Sequence, residues 1–210
     1  LRDICETSLK NLGVDYLDTM CQSRVDPTIP IEESVGAVSR LVEEGKVRFV
    51  GLSEAAPNTI RRASKVHPLV SLQFEYSLWT RDVEDGHHDT CNDLGMALMA
   101  YAPLGYGFLT GVVNTAGAQS EDDIRGKFPR FHEVNYSANR ECVSQLEGFA
   151  SDKGATPAQI SLAWLLAQND NVFPIPGCKS RKHLLENLGA IDISLTKEDL
   201  IRLAKIFHQN

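Results

Sequence analysis

Five times along this chain a short apolar run of strand-like residues gives way to a stretch with helical spacing. That recurrence constrains the fold more than any other feature, because strands alternating with helices make βα units and a parallel sheet. The first unit is entered through an amphipathic helix, with Leu1, Ile4, Cys5, Leu9 and Leu12 on one side and Gly13 at its end. The spacing then predicts strands over residues 14–21, 47–52, 69–74, 96–101 and 171–175. Helices are predicted over 31–44 and 58–66, up to Leu94, over 138–153 and 157–168, and near 180–188 and 196–207. Pro57 suits a helix start, and Thr156 reads as the N-cap of the helix that follows it. The segment from about 105 to 135, rich in Gly, Ser and Asp, reads as a functional loop rather than a domain boundary. The whole of 1–210 therefore reads as a single domain.

Two parallel architectures are open to such a pattern. A doubly wound nucleotide fold would open its first βα turn with GxGxxG, which is absent here. Unusual residues instead recur at the C-terminal ends of successive strands, where a (β/α)8 TIM barrel builds its site. Five strands cannot close a barrel of eight, so the expected fold is α/β and an incomplete barrel, with about five of eight βα units present.

Four strand ends carry the chemistry. Ser53 and Gln73 offer a hydroxyl and an amide on adjacent strands, suited to grip a planar carboxamide. Tyr101 offers a flat ring for stacking. The Gly-rich stretch Leu104-Gly105-Tyr106-Gly107 lets backbone approach a polyphosphate. Lys179 and Arg181 open a helix, where cations and free N–H groups suit an anion. Each has a plainer alternative. Ser53 and Gln73 fit turns or caps, Tyr101 fits a barrel core, and Lys179 to Lys182 fit a solvated basic patch. Their order on successive strand ends favours the site.

The full set of motifs resembles the aldo-keto reductases, in the branch of larger NADP-dependent reductases and potassium-channel β subunits. The likeness runs over essentially the whole chain. It includes Leu12-Gly13-Val14-Asp15-Tyr16-Leu17-Asp18, Arg24-Val25-Asp26-Pro27, Glu44-Gly45-Lys46-Val47-Arg48 and Gly51-Leu52-Ser53-Glu54. It continues through Glu75-Tyr76-Ser77-Leu78-Trp79, the Tyr101 to Gly111 segment, Pro129-Arg130-Phe131, Ala163-Trp164-Leu165-Leu166-Ala167-Gln168 and Ile175-Pro176-Gly177 to Ala190.

The resemblance implies an NADPH-dependent oxidoreductase interconverting aldehydes or ketones and alcohols. It implies that Ser53 and Gln73 hold the nicotinamide carboxamide and that Tyr101 stacks on the ring. Pro103, Leu104 and Gly105 would line the pyrophosphate. Gly177, Lys179 and Arg181 would lie at the adenosine 2′-phosphate, with His183, Glu186 and Asn187 around the ribose and adenine. Many relatives have Asn where this chain has Glu54, which argues against a carboxamide role for that side chain. Family catalysis uses an Asp, a Tyr and a Lys from the first three βα units, and no segment here matches them. The family's His, just before Arg-Val-Asp, is replaced by Ser23, which lacks the reach and basicity of imidazole. No catalytic residue is therefore assigned, and the chain is expected to be an N-terminally truncated portion of the barrel, catalytically incomplete. The alternatives are a non-catalytic nucleotide-binding or subunit-type protein, and an unrelated barrel isomerase of phosphorylated sugars, which leaves Gln73 and Tyr101 unexplained.

Composition bounds the remainder. A net charge of −7 argues against general nucleic-acid binding, which needs a basic surface. No apolar run reaches the roughly 20 residues of a membrane span, and the start does not resemble a signal peptide. Five cysteines without a CxxC pair suggest reduced thiols and a cytoplasmic setting. His87 and His88, with Asp82, Glu84, Asp85 and Asp89, lack the defined spacing of a metal site and read as a solvated loop and helix start. Cys178 lies beside the expected phosphate pocket, with no His partner that would make it a nucleophile. Two unpaired strand edges lead us to expect a chain prone to aggregation or dependent on a partner.

Overall fold

The computed structural model describes residues 1–113 and 122–207. These form two compact units. Unit 1 comprises Leu1–Glu75, Asp82–Tyr101 and Asn171–Phe173; unit 2 comprises Tyr76–Arg81, Ala102–Asp170 and Pro174–Asn210.

Unit 1 is the sheet with its first helices. In chain order it runs α1 (Arg2–Leu12), β1 (Leu17–Gln22), α2 (Ile31–Glu43), β2 (Val47–Ser53), α3 (Pro57–Ser64), β3 (Leu69–Glu75), α4 (His87–Leu94) and β4 (Ala97–Tyr101). The sheet order is β1-β2-β3-β4-β5, with β5 at Val172–Pro174, and β1 to β4 pair in parallel. Strand order equals chain order, as repeated βα units require. β1 begins at Leu17 rather than Val14, because β2 begins only at Val47, its first register partner. Before that point β1 has nothing to pair with.

The two faces of the sheet differ sharply. Val50, Leu52, Leu72, Leu98 and Ala100 are fully buried on one face. α2 and α4 pack against the sheet, and α3 packs against both of these helices. In α2 the buried positions are Ile31, Ser34, Val35, Val38 and Leu41, the i, i+3, i+4, i+7 stripe of an amphipathic helix. Burying an aliphatic side chain contributes about 1.5–3 kcal/mol, and through this stripe α2 packs against β2. The opposite face carries Cys21, Gly51, Ser53, Ser71, Gln73, Met99 and Tyr101, held together by the register.

Unit 2 contains α5 (Glu133–Asp152), α6 (Pro157–Leu166), α7 (Arg181–Leu188) and α8 (Lys197–Phe207). Thr156 caps α6 as expected: its Oγ1 accepts from the Gln159 N–H at 3.2 Å, and the Gln159 side chain accepts from the Thr156 N–H at 3.0 Å. Seven of its ten residues are buried, so α6 is the central helix of this unit. Its Trp164 meets Tyr76 edge to face at 5.4 Å. A second cluster gathers Phe108, Phe131 and Val143, with Trp79 tilted against Phe108 at 4.4 Å.

In its described parts, the segment read as a loop, 105–135, contains regular turns and a helix start. It holds 3₁₀ turns at Gly105–Thr110, Ile124–Lys127 and Pro129–Phe131, and α5 starts at Glu133, ahead of the expected 138. The helix start was hidden because His132, at the N-cap, makes no side-chain capping bond. The part at 114–121 lies outside the described residues.

Candidate active site and cofactor-binding residues

In unit 1, Ser53 stands directly opposite Gln73 at the C-terminal ends of β2 and β3. A β-bulge makes this so. Val50 pairs with Leu69, and that register, carried on, would set Ser53 against Leu72. The shift between Val50 and Gly51 admits one extra residue on β3, so Gln73 takes the place instead. Because side chains alternate along a strand, Ser53 and Gln73 then project from the same face. Tyr101 closes the row on β4, paired with Glu75. Ser53 is buried and Gln73 and Tyr101 half-buried. A hydroxyl, an amide and a phenol ring thus share one face at one end of the sheet.

Gly51 supplies the room below them. A Cβ there would lie 2.5 Å from Cys21 Sγ and 2.7 Å from Ser71 Oγ, closer than real side chains come. The glycine is required by the close approach of β1 and β3 residues across β2.

The next strand end holds Ser23, exposed and immediately after Gln22, which pairs with Leu52. Ser23 therefore lies at the same end of the sheet as Ser53. The loop beyond it is pinned by Asp26, whose carboxylate accepts from the Thr28 N–H at 2.8 Å and its hydroxyl at 2.7 Å. Those bonds hold the Asp26 carboxyl below its ordinary range.

Sequence reasoning missed the backbone strain around these strand ends. Glu54 (φ 56), Ala102 (φ 47) and Tyr106 (φ 56) are non-glycine residues in left-handed conformation. Such residues cost of order 1–3 kcal/mol and cluster at functional sites. None of the three residue types signals a left-handed turn, so nothing in the sequence pointed to them.

In unit 2, the turn after Tyr101 is tightly wound. The Gly105 N–H donates to Ala102 O at 2.9 Å, and the Gly107 N–H to Leu104 O at 3.0 Å. Pro103 and Gly105 are buried and Leu104 half-buried. The amides of Gly105 and Gly107 serve the turn itself, so any approach to a phosphate here relies on the small bulk of the glycines rather than on those donors.

Further along unit 2, Ser180 caps α7 by accepting from the His183 N–H at 3.2 Å. Lys179 precedes the cap, and Arg181 and Lys182 begin the helix; all three are exposed. The first turn of α7 has no acidic residue. Cations at the positive end of a helix dipole are the reverse of the stabilising arrangement, and an anion bound there would relieve it. Gly177 and His183 are also exposed, and Glu186 and Asn187 half-buried. The Asn187 amide donates to Cys178 Sγ at 3.3 Å, folding the Pro176 to Cys178 segment back along α7.

The histidine pair departs from expectation. Asp82, Glu84, Asp85 and Asp89 are exposed as anticipated, but His87 and His88 are half-buried, and the His87 ring lies 4.5 Å from Phe74. The ring packs as an apolar plate, a role that polarity alone conceals. Among the described residues no group of three or more metal-ligating side chains comes together, and no helix is long and apolar enough to cross a membrane.

Comparison with known proteins adds to this geometry. Residues 1–207 match the family described as aldo/keto reductase. A probable aldo-keto reductase 1 from Glycine max is 45% identical over 200 residues, covering 95% of this chain and 58% of that protein. The glycerol dehydrogenase AKR11B4 from Gluconobacter oxydans superposes with a TM-score of 0.90 at 26% identity, over 98% of this chain and 62% of that one. A thermostable aldo-keto reductase, Tm1743, solved with the inhibitor epalrestat, gives a TM-score of 0.76 at 32% identity, over 96% of this chain and 64% of that one. The chain thus spans less than two thirds of the length of these relatives, and its five-stranded α/β sheet is an incomplete (β/α)8 barrel.

Proposed function

Since this chain belongs to the aldo/keto reductase family, we propose that it carries the NADP(H)-binding residues of an oxidoreductase that interconverts carbonyl compounds and alcohols. The observation that carries the reading is the bulge-set pairing of Ser53 with Gln73. An amide carbonyl and an amide NH2 on a carboxamide need one donor and one acceptor within reach, and a hydroxyl beside a glutamine amide offers both. Tyr101, on the same face, is suited to stack on the attached ring.

The exposed cations Lys179 and Arg181 at the Ser180-capped helix start favour a phosphorylated ribose, hence NADPH over NADH. On this reading Gly177 leaves room beside that phosphate, and His183, Glu186 and Asn187 flank the ribose and adenine. Pro103, Leu104 and Gly105 lie along the pyrophosphate. When bound, the dihydronicotinamide supplies a hydride to the carbonyl carbon. This chain's own residues orient the carboxamide and fix which ring face is exposed.

The proposal extends to residues 1–210 as one portion of a single barrel domain, acting on small carbonyl substrates in the cytoplasm, without nucleic-acid or membrane partners. Five free cysteines accord with the reducing compartment, and the net charge of −7 with the absence of a nucleic-acid role. Within the 210 residues no general acid is assigned. The second reading, a nucleotide-binding protein without turnover, is favoured by Ser23, a side chain without a usable proton near neutral pH, at the strand end where the family has histidine.

Fluorescence titration with NADPH tests the proposal, with circular dichroism on the same sample to establish folding. Saturable binding is expected. A folded sample that leaves NADPH fluorescence unchanged refutes the cofactor reading. Loss of NADPH absorbance with an aldehyde then separates the two readings: turnover supports the enzyme, binding without turnover the second.

A further inference from the structure

Glu54 sits one residue past the end of β2 in a left-handed conformation, φ 56, that a glutamate adopts only under constraint. Its neighbour β3 runs on to Glu75. In a parallel ladder, one residue donates its N–H to the partner strand and accepts, through its own carbonyl, from the N–H two residues further along. Glu54 makes the first of these bonds in the ordinary way, donating to Gln73 O at 3.0 Å. The second it makes with its side chain: Glu54 Oε1 accepts from the Glu75 N–H at 3.1 Å. The left-handed turn removes the carbonyl from the ladder, and the carboxylate occupies its role. Its other oxygen lies 3.4 Å from Arg24 Nη1, on the segment that follows Ser23. The Glu54 side chain is 16% exposed and that of Arg24 is 75% exposed, so the ion pair is largely screened and the backbone bond is the stronger tie.

We infer that Glu54 is a positioning residue: its carboxylate extends the β2–β3 ladder past the end of β2 and so holds the Gln73 side chain opposite Ser53. The role rests on the proposed cofactor reading, in which Gln73 meets the carboxamide. The Glu54 side chain faces the neighbouring backbone, and the residue acts through Gln73.

Three variants test this. Glu54→Gln keeps an acceptor oxygen; Glu54→Ala removes it; Glu54→Gly removes it while relieving the left-handed strain. The ligands are NADPH and adenosine 2′,5′-bisphosphate, which lacks the nicotinamide. Ala and Gly variants are expected to weaken NADPH about tenfold, the scale of one lost hydrogen bond to a charged group, and to bind the bisphosphate within about twofold of the parent. The Gln variant should bind both nearly as the parent does. A Gly variant with full NADPH affinity overturns the proposal, as does an equal loss for both ligands, which marks general loosening. Amide hydrogen exchange at Glu75 reads the brace without any cofactor. It should quicken at least about tenfold in the Ala variant and stay protected in the Gln variant; unchanged exchange in the Ala variant also overturns it. A parent chain that binds neither ligand removes the cofactor reading and the positioning role with it, while the exchange at Glu75 still decides whether the brace exists.

Discussion

Gln73, and not Leu72, stands opposite Ser53, because a single bulge between Val50 and Gly51 advances β3 by one residue against β2. A one-residue slip in a strand turns every following side chain to the other face. Had the register continued unbroken, a fully buried leucine would face Ser53, and the amide would point toward the helices.

Gly51→Ala should therefore disturb stability and site together. Its Cβ would lie 2.5 Å from Cys21 Sγ and 2.7 Å from Ser71 Oγ, and overpacking of this kind costs about 1–3 kcal/mol. Urea unfolding should show that loss, with NADPH affinity falling alongside. Adding Cys21→Ala should recover part of both. A Gly51→Ala chain with the parent's unfolding midpoint and affinity would show that the close approach is unimportant.

Removing the cations before and at the start of α7 should change which nicotinamide dinucleotide is preferred. In the double variant Lys179→Ala, Arg181→Ala, NADPH affinity should fall about 10–100-fold, in line with one or two lost charge-assisted contacts, while NADH affinity stays close to the parent's. Parallel titrations at low and moderate salt measure it. Equal losses for the two dinucleotides would place the 2′-phosphate elsewhere.

Much of this architecture is legible in the residues themselves. The stripe Ile31, Val35, Val38, Leu41 and the pair Thr156 and Gln159 state their helices openly, since local spacing and capping decide them. The roles proposed for Ser53, Gln73 and Tyr101 follow from a resemblance, and their common face rests on the structure. What the sequence withholds is non-local. The bulge at Gly51 exists only between two strands, and Glu54 reaches the Glu75 N–H only because β3 outlasts β2. The start of α5 was hidden for a local reason, a helix that begins without a capping side chain.

Acid should act on the contact between α1 and the end of α2. The Glu44 carboxylate accepts from both Arg2 and Lys46, and these bonds hold its pKa down at about 2, from 4.5. A carboxylate with a depressed folded-state pKa contributes stability that is fully present above the unfolded value and is lost as pH falls through the folded one. The contribution should therefore be constant at neutral pH and fade between about 4.5 and about 2. Comparing the urea midpoints of the parent and Glu44→Gln across this range checks it: the gap should close toward pH 2. A gap that persists there would show that Glu44 acts through packing rather than charge.

The sheet ends on β1 and β5 among the described residues. An unpaired strand edge is a template for further pairing, and beside β1 Phe49 and Tyr16 are each 46% exposed. Prepared as residues 1–210 by themselves, the chain is expected to self-associate with rising concentration in sedimentation velocity. A single monomeric boundary at all concentrations, with two-state unfolding in urea, would contradict it.

The alternation of faces in unit 1 has a consequence for how such a protein changes over time. Along β2 and β3, Val50, Leu52 and Leu72 answer to the helices beneath, while Gly51, Ser53, Ser71 and Gln73, interleaved with them, answer to whatever occupies the other side. Neighbours in the chain are thus under unrelated demands. At Ser53 and Gln73 a lineage can exchange side chains and leave the scaffold's own requirements untouched. The bulge is the exception: an insertion or deletion there would exchange the two sets of residues at a stroke.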